Sequence, residues 1–213
     1  MPVKTIEVGD LAACCHIVSA DLPNHDGNPC VIVDPGAEPE RIAAEIKKSG
    51  LWLEAVLLTH SHADHIGGVS GLLAVWPEAV LICSAETSRR AGDPALNLSV
   101  YLGTPIVCPP AGRVLADGED FSAAGLGWRA VELLGHDPGE MVYILEDAKA
   151  VFTGDTVFAG SVGRSDFPGG DGGALIDGII RLLKSLPPSA VIFPGHGPAT
   201  RVDRELAQNP FLA

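Results

Sequence analysis

The residues with most scope for chemistry stand in one run of seven, Thr59-His60-Ser61-His62-Ala63-Asp64-His65. The stretch before it, Ala55-Val56-Leu57-Leu58, is short, apolar and partly β-branched, so it is predicted to be a buried strand. Ile66-Gly67-Gly68-Val69 opens a new element after it. Three imidazoles and a carboxylate therefore crowd a turn at a strand end. In an extended segment, residues two apart share a side, so His60 and His62 can reach one ion. Asp64 and His65 follow where the chain turns, and can face a second ion. As cations the three rings would repel one another, and as buried neutral rings they would need partners. A metal supplies those partners, which favours it over ordinary core histidines.

The second half of the chain repeats the placement three times. Leu133-Leu134-Gly135-His136, Val151-Phe152-Thr153-Gly154-Asp155 and Ile192-Phe193-Pro194-Gly195-His196 each set a polar side chain just past an apolar run and a glycine. Gly-Asp at a strand end is common and weak alone. Of the 7 His in the chain, however, five fall in these four segments. Five imidazoles and two carboxylates on one rim are enough for two metal ions with a bridging ligand. The donor set suits two divalent ions, with zinc foremost and iron or manganese also suited.

The elements that must position these residues are legible in outline. Val3 to Val8, Ala12 to Ser19 and Cys30 to Val33 are predicted strands of an opening meander, with a hairpin signal at Asp26-Gly27 and a polar turn around His25. His16 is a structural residue of the second strand. Pro39 to Lys48 is predicted helical, with Pro39 at its start, Lys47 and Lys48 at its end, and Ile42 and Ile46 forming a stripe. Val69 to Trp76 is a second helix and Ala79 to Cys83 a strand. Asp93 to Ser99 looks like a loop lying over something. Phe121 to Leu134, Met141 to Leu145 and Ala150 to Thr153 form a second meander. An amphipathic helix over Ala174 to Leu186, a strand over Ala190 to Phe193 and a helix over Arg201 to Gln208 follow. The order suggests two similar halves, each a sheet with helices on one side, packed sheet to sheet.

The totals bound the alternatives. The chain has 213 residues, 46% of them hydrophobic, with 25 Gly and 17 Pro. That is enough for a sizeable core with many loops. No stretch is long and apolar enough to span a bilayer, and Met1 to Glu7 lacks a secretory apolar region, so the expected location is cytoplasmic with no membrane partner. The 5 Cys (Cys14, Cys15, Cys30, Cys83 and Cys108) form no CxxC pair and are expected to be small buried hydrophobes. A formal net charge of −13 disfavours nucleic acid as a partner. Oligomeric state is not legible.

With these residues in view, the chain resembles the metallo-β-lactamase superfamily over nearly its whole length. It is most similar to the short bacterial glyoxalase II (hydroxyacylglutathione hydrolase) group. Phe152 to Phe158, Gly160 to Pro168, Phe193 to Pro198 and Asn209 to Leu212 carry that likeness. The resemblance implies an α/β (α+β) fold, a four-layer αβ/βα sandwich in a single domain over residues 1–213. Longer relatives add a helical substrate-binding domain after the last ligand, whereas here only Gly197 to Ala213 follow His196. It implies that His60, His62 and His136 hold metal one, that Asp64, His65 and His196 hold metal two, and that Asp155 bridges them. Asp137 departs from the pattern, standing where the group commonly has Thr or Ser, and is expected to accept a hydrogen bond near the metals or to alter metal preference.

The implied activity is hydrolysis of a small-molecule thioester, foremost an S-(2-hydroxyacyl)glutathione, to the thiol and a 2-hydroxy acid. Two dications can hold a hydroxide at neutral pH, Asp64 would orient it, and a thiolate leaves without a strong general acid. Arg164 matches a substrate-binding position, and a loop ion pair with Asp166 is the equal alternative. A Tyr expected shortly after Arg164 is replaced by Ser165-Asp166-Phe167. The leading rival is a persulfide dioxygenase using one iron held by two His and an Asp; Gly195-His196-Gly197-Pro198 favours the hydrolase. A β-lactamase is disfavoured because Asp155 stands where many have Cys. A non-catalytic metal-binding scaffold is disfavoured because no ligand position is lost.

Overall fold

The computed structural model describes residues 3–20, 27–145 and 149–213. The turn expected at Asp26, with His25, lies outside the described residues at all but its last positions. Strands β1 (Val3–Val8), β2 (Ala13–Ser19) and β3 (Asn28–Val33) pair antiparallel as the opening meander. Helix α1 (Pro39–Lys48) then carries the chain back, so that β4 (Leu51–Leu57) lies parallel to β3. Pro39 sits in the first turn of α1, Glu40 beside it, and Lys47 and Lys48 in the last turn, where backbone partial charges favour each. Helices α2 (Ala63–Ile66) and α3 (Val69–Val75) lead to β5 (Val80–Ser84). Helix α4 (Ala85–Ala91), capped by the Ser84 hydroxyl, and strand β6 (Arg113–Leu115) complete the first half. The first sheet has the order β1-β2-β3-β4-β5-β6.

The second sheet is built from β7 (Asp120–Ala123), β8 (Leu126–Glu132), β9 (Met141–Leu145) and β10 (Ala150–Gly154). A small hairpin, β11 (Val157–Phe158) and β12 (Ser161–Val162), leads to α5 (Gly172–Ser185). The chain closes with β13 (Val191–Pro194), β14 (Thr200–Arg201) and α6 (Val202–Gln208). The order is β14-β13-β10-β9-β8-β7.

Three separate apolar layers show that this is a four-layer αβ/βα sandwich. Ile42, Ile46 and Leu72 pack with Ile32 and Val56 on the outer face of the first sheet. Val31, Val33 and Leu57 point the other way and meet Trp128, Tyr143 and Phe152 of the second sheet. Leu175, Ile179 and Leu183 of α5 cover Val142, Val151 and Ile192. The alternation of Val31, Ile32 and Val33 between two layers is the period-2 geometry of a strand buried on both faces. Each fully buried side chain of this size contributes about 1.5–3 kcal/mol relative to exposure.

The expected elements occur in the expected order, with one of them divided and several short ones added, among them α2, β6, the β11–β12 hairpin and β14. The strand expected over Phe121 to Leu134 is two strands, folded back at Ala124 and Gly125, whose φ angles of 52° and 69° are those of a tight hairpin turn. Ala124 is not a residue that advertises such a turn. The stretch after Ser84, where no helix was expected, begins with α4. All five cysteines are buried and free, as expected. No helix among the described residues is long and apolar enough to cross a membrane.

Candidate metal centre

Four strand ends deliver the polar side chains to one rim between the sheets. The turn after β4 is pinned from the opposite sheet. Met141 N–H donates to the Thr59 carbonyl at 2.7 Å, and the Tyr143 hydroxyl to the Leu58 carbonyl at 2.8 Å. His62 is extended (ψ 147°) and α2 starts immediately after it, which separates the direction of His60 and His62 from that of Asp64 and His65. The predicted loop over Asp93 to Ser99 lies on this turn: the Asn97 carbonyl accepts from Ala63 N–H at 2.9 Å. The His196 turn is tied to the first sheet. Cys14 N–H donates to the Gly195 carbonyl at 2.7 Å, Ala13 bridges His196, and His16 Nε2 lies 3.1 Å from the Pro194 carbonyl.

Two glycines permit the approach. A Cβ on Gly195 would lie 2.2 Å from Asp155 Oδ1, and one on Gly36 would lie 1.6 Å from the Asp64 carbonyl oxygen. Neither gap can hold a methyl group.

All seven predicted ligands converge. His60, His62 and His136 offer donor atoms that lie within 4.8 Å of one another, and so do Asp64, His65 and His196. His62 Nδ1 faces His136 Nε2 at 3.0 Å, and His65 Nε2 faces His196 Nε2 at 3.3 Å. Asp155 reaches both groups, with Oδ1 at 3.4 Å from His65 and Oδ2 at 3.7 Å from His136 and 3.6 Å from His196. Asp64 Oδ2 is 3.2 Å from His196 Nε2.

The surrounding partners fix which ring nitrogens are bare. The Thr59 hydroxyl donates to Asp34 Oδ2 at 2.6 Å, so it accepts from His60 Nδ1–H at 3.0 Å. His65 Nδ1–H donates to Asp34 Oδ2 at 3.1 Å, and His136 Nδ1–H to the Arg164 carbonyl at 2.7 Å. In His60 and His136 this leaves Nε2 as a lone pair turned inward, and His65 bares the same atom once it gives up its second proton. His60 Nε2 and Asp155 Oδ1 are buried without a hydrogen-bond partner. Lone pairs aimed at one another and orphaned buried donors fit a pair of cations bound among them.

Electrostatics divides the two groups. Burial, aided by the neighbouring rings, holds His60 well below its ordinary range and His62 down at about 3. Burial works against charge on His65 as well, but Asp155, Asp34 and Asp64 outweigh it and raise that ring to about 10. His196 is raised by its bond to Asp64. Burial opposes charge on Asp64, yet the His196 bond and the His65 charge lower its carboxyl below the usual range. Glu140, fully buried and accepting from Asp155 N–H at 3.1 Å, is pushed up by burial and then by Asp155 and Asp137.

Arg164 sits at the rim. Its side chain forks onto Asp166 at 2.7 and 2.8 Å and lies 4.0 Å over the Phe167 ring, which packs edge-on against His62. Asp137 faces away from His136, toward Ser61 and Arg90. The sequence reading passed over Asp34, Thr59 and Arg90 as partners. Asp34 carried a usable signal, since it too follows an apolar strand directly.

Comparison with known proteins agrees with this geometry. Residues 24–196 match the metallo-beta-lactamase superfamily. A probable metallo-hydrolase of Bacillus subtilis, YqgX, is 34% identical over 213 residues, covering 100% of this chain and 98% of its own. The hydroxyacylglutathione hydrolase GloC of Haemophilus influenzae is 32% identical over 222 residues, with the same coverage. Among solved structures, the BLEG-1 B3 metallo-beta-lactamase superposes with a TM-score of 0.92 at 31% identity, covering 99% of both chains. TTHA1623 in a di-iron-bound form gives 0.84 at 34% identity, covering 99% of this chain and 100% of its own.

Proposed function

From the premise that the chain belongs to the metallo-beta-lactamase superfamily, we propose that this metallo-hydrolase cleaves small-molecule thioesters. Its foremost substrate is an S-(2-hydroxyacyl)glutathione, released as glutathione and a 2-hydroxy acid. The observation that carries the reading is the convergence of seven donor side chains from both sheets, several with bare, buried donor atoms. The similarity to GloC supports the substrate class.

His60, His62 and His136 would hold one ion, and Asp64, His65 and His196 the other, with Asp155 shared. Such ions, when bound, make coordinated water acidic and polarise the thioester carbonyl. The chain's own residues do the rest. Thr59, Asp34 and the Arg164 carbonyl hold the rings of His60, His65 and His136 in one tautomer. Asp64, kept ionised, would accept a hydrogen bond from the attacking water and orient it. A thiolate leaves as an anion, so no further acid is required, and Ser-His-Asp chemistry is unnecessary. Arg164, on the exposed rim and able to exchange Asp166 for a substrate carboxylate, would contact the thiol carrier.

Zinc serves as well as iron for this donor set, and the di-iron form of TTHA1623 keeps iron open. The test is metal analysis of the purified protein with two assays side by side. Hydrolysis of an S-(2-hydroxyacyl)glutathione with two metals per chain is the expected result. Oxygen uptake with glutathione persulfide and one iron per chain would overturn it.

A further inference from the structure

We propose that Asp137 is a positioning residue for His62, with Arg90 as its fixed counter-charge. The proposal rests on His60, His62 and His136 being ligands of one ion. Asp137 is buried, and its two oxygens are used differently. Oδ2 accepts from Ser61 N–H at 3.1 Å and from the Ser61 hydroxyl at 2.6 Å. Oδ1 lies 2.8 Å from Arg90 Nη2 and 3.8 Å from His62 Nε2. Arg90, also buried, reaches the Ser61 hydroxyl at 3.3 Å and the Leu96 carbonyl at 3.2 Å. Ser61 is the residue between the two ligands His60 and His62. The carboxylate therefore fixes the backbone that separates them, and Arg90 ties that backbone to the loop over Asp93 to Ser99.

The ring of His62 supplies the second half of the case. Its Nδ1 faces His136 Nε2 at 3.0 Å, so Nδ1 is the atom turned toward the ion. A neutral imidazole carries one proton, which must then sit on Nε2. That atom is buried and has no hydrogen-bond partner, and the acceptor facing it is Asp137 Oδ1. His60, His65 and His136 each have an acceptor on the nitrogen that points away from the centre. His62 is the fourth ring, and Asp137 is its acceptor when the ion draws it into place. A carboxylate in that position selects the tautomer and raises ligand basicity. Arg90 makes it tolerable to bury that carboxylate among apolar walls.

The experiment uses the full chain loaded with zinc, and long-range proton–nitrogen NMR of the histidine rings. The expected wild-type spectrum shows His62 protonated on Nε2 with a downfield proton; a proton on Nδ1 overturns the proposal without any variant. Asp137→Asn keeps the shape but removes the charge, and should move that proton upfield. In the double variant Asp137→Leu with Arg90→Met, the buried pair is replaced by apolar groups, which protects the fold. Chelator competition should then show one of two zinc ions held about 10–100-fold more weakly and the other unchanged. Both ions held as tightly as in the wild type would sink the role of Asp137 alone. A wild-type chain that binds no zinc, iron or manganese would sink the ligand assignment beneath it.

Discussion

The two halves of the metal centre use the same residue types under opposite constraints. His60, His62 and His136 are almost fully buried, and burial keeps His60 and His62 neutral. Asp64 and His196 retain side-chain exposures of 20% and 28%, and carboxylates keep His65 charged and push His196 upward. The first group is a set of bare lone pairs held in place by the fold. The second sets the carboxylates of Asp64 and Asp155 against a protonated His65. The difference teaches that the first group can take an ion without releasing a proton from His60 or His62, whereas the second must give up the His65 proton for one.

The sharpest way to break the comparison is to remove what the two groups share. Asp155→Ala should lower thioester hydrolysis by about a thousandfold, equivalent to about 4 kcal/mol of transition-state stabilisation. It should also deplete both metals with little change in the circular dichroism spectrum. Full activity would show that Asp155 bridges nothing. Next in size is His196→Ala, which should leave one tightly held ion per chain by elemental analysis, because the buried group is untouched. Loss of both ions would mean that the groups do not act separately.

Proton counting sharpens the same contrast. His65, raised to about 10, holds its proton at neutral pH and must give it up to a metal. His60 and His62 have none to give. Calorimetric titration of the metal-free protein with zinc in two buffers of different ionisation enthalpy should resolve a proton-releasing event and a nearly silent one. Affinity in the releasing event should rise with pH up to about 10.

A smaller effect concerns His16, which lies outside both groups. Burial lowers it to about 4 in the folded chain. Below about 6.5 the unfolded state therefore binds a proton that the folded state refuses, and stability falls as pH drops toward 4. The loss by pH 5 is about 2 kcal/mol from this one ring. Urea unfolding at pH 7 and pH 5 should show that loss, and His16→Gln should reduce it. The smallest effect is at the rim. Arg164→Ala should raise KM several-fold with kcat nearly unchanged and leave the urea midpoint almost where it was, since its ion pair with Asp166 is exposed.

The candidate ligands were legible because each segment that carries them begins at or just past the end of an apolar run, and because imidazoles are scarce enough for clustering to mean something. The layers were legible because runs such as Val31-Ile32-Val33 are apolar on both faces. The outer partners were not. Asp34 reads as the start of a Pro-Gly turn, and Arg90 stands in a stretch whose pattern marks no element. Their roles arise only when β3, β4 and α4 are brought side by side. The turn at Ala124 and Gly125 was missed because neighbouring strands outvote a local preference when the pairing of Phe121 with Trp128 is strong enough. Asp137 was noticed beside His136 in sequence, yet its carboxylate serves the turn carrying Ser61, which no spacing within its own segment could reveal.

One tie described above has a bearing on how the protein comes into being. The hydrogen bond between His16 and the Pro194 carbonyl joins positions 178 apart in the chain. Closing so long a loop is entropically late and slow compared with forming neighbouring hairpins. A ribosome must therefore release the chain past His196 before the seventh donor swings home. Until then a nascent chain holds only part of this donor set, and all seven side chains meet only once both sheets have formed.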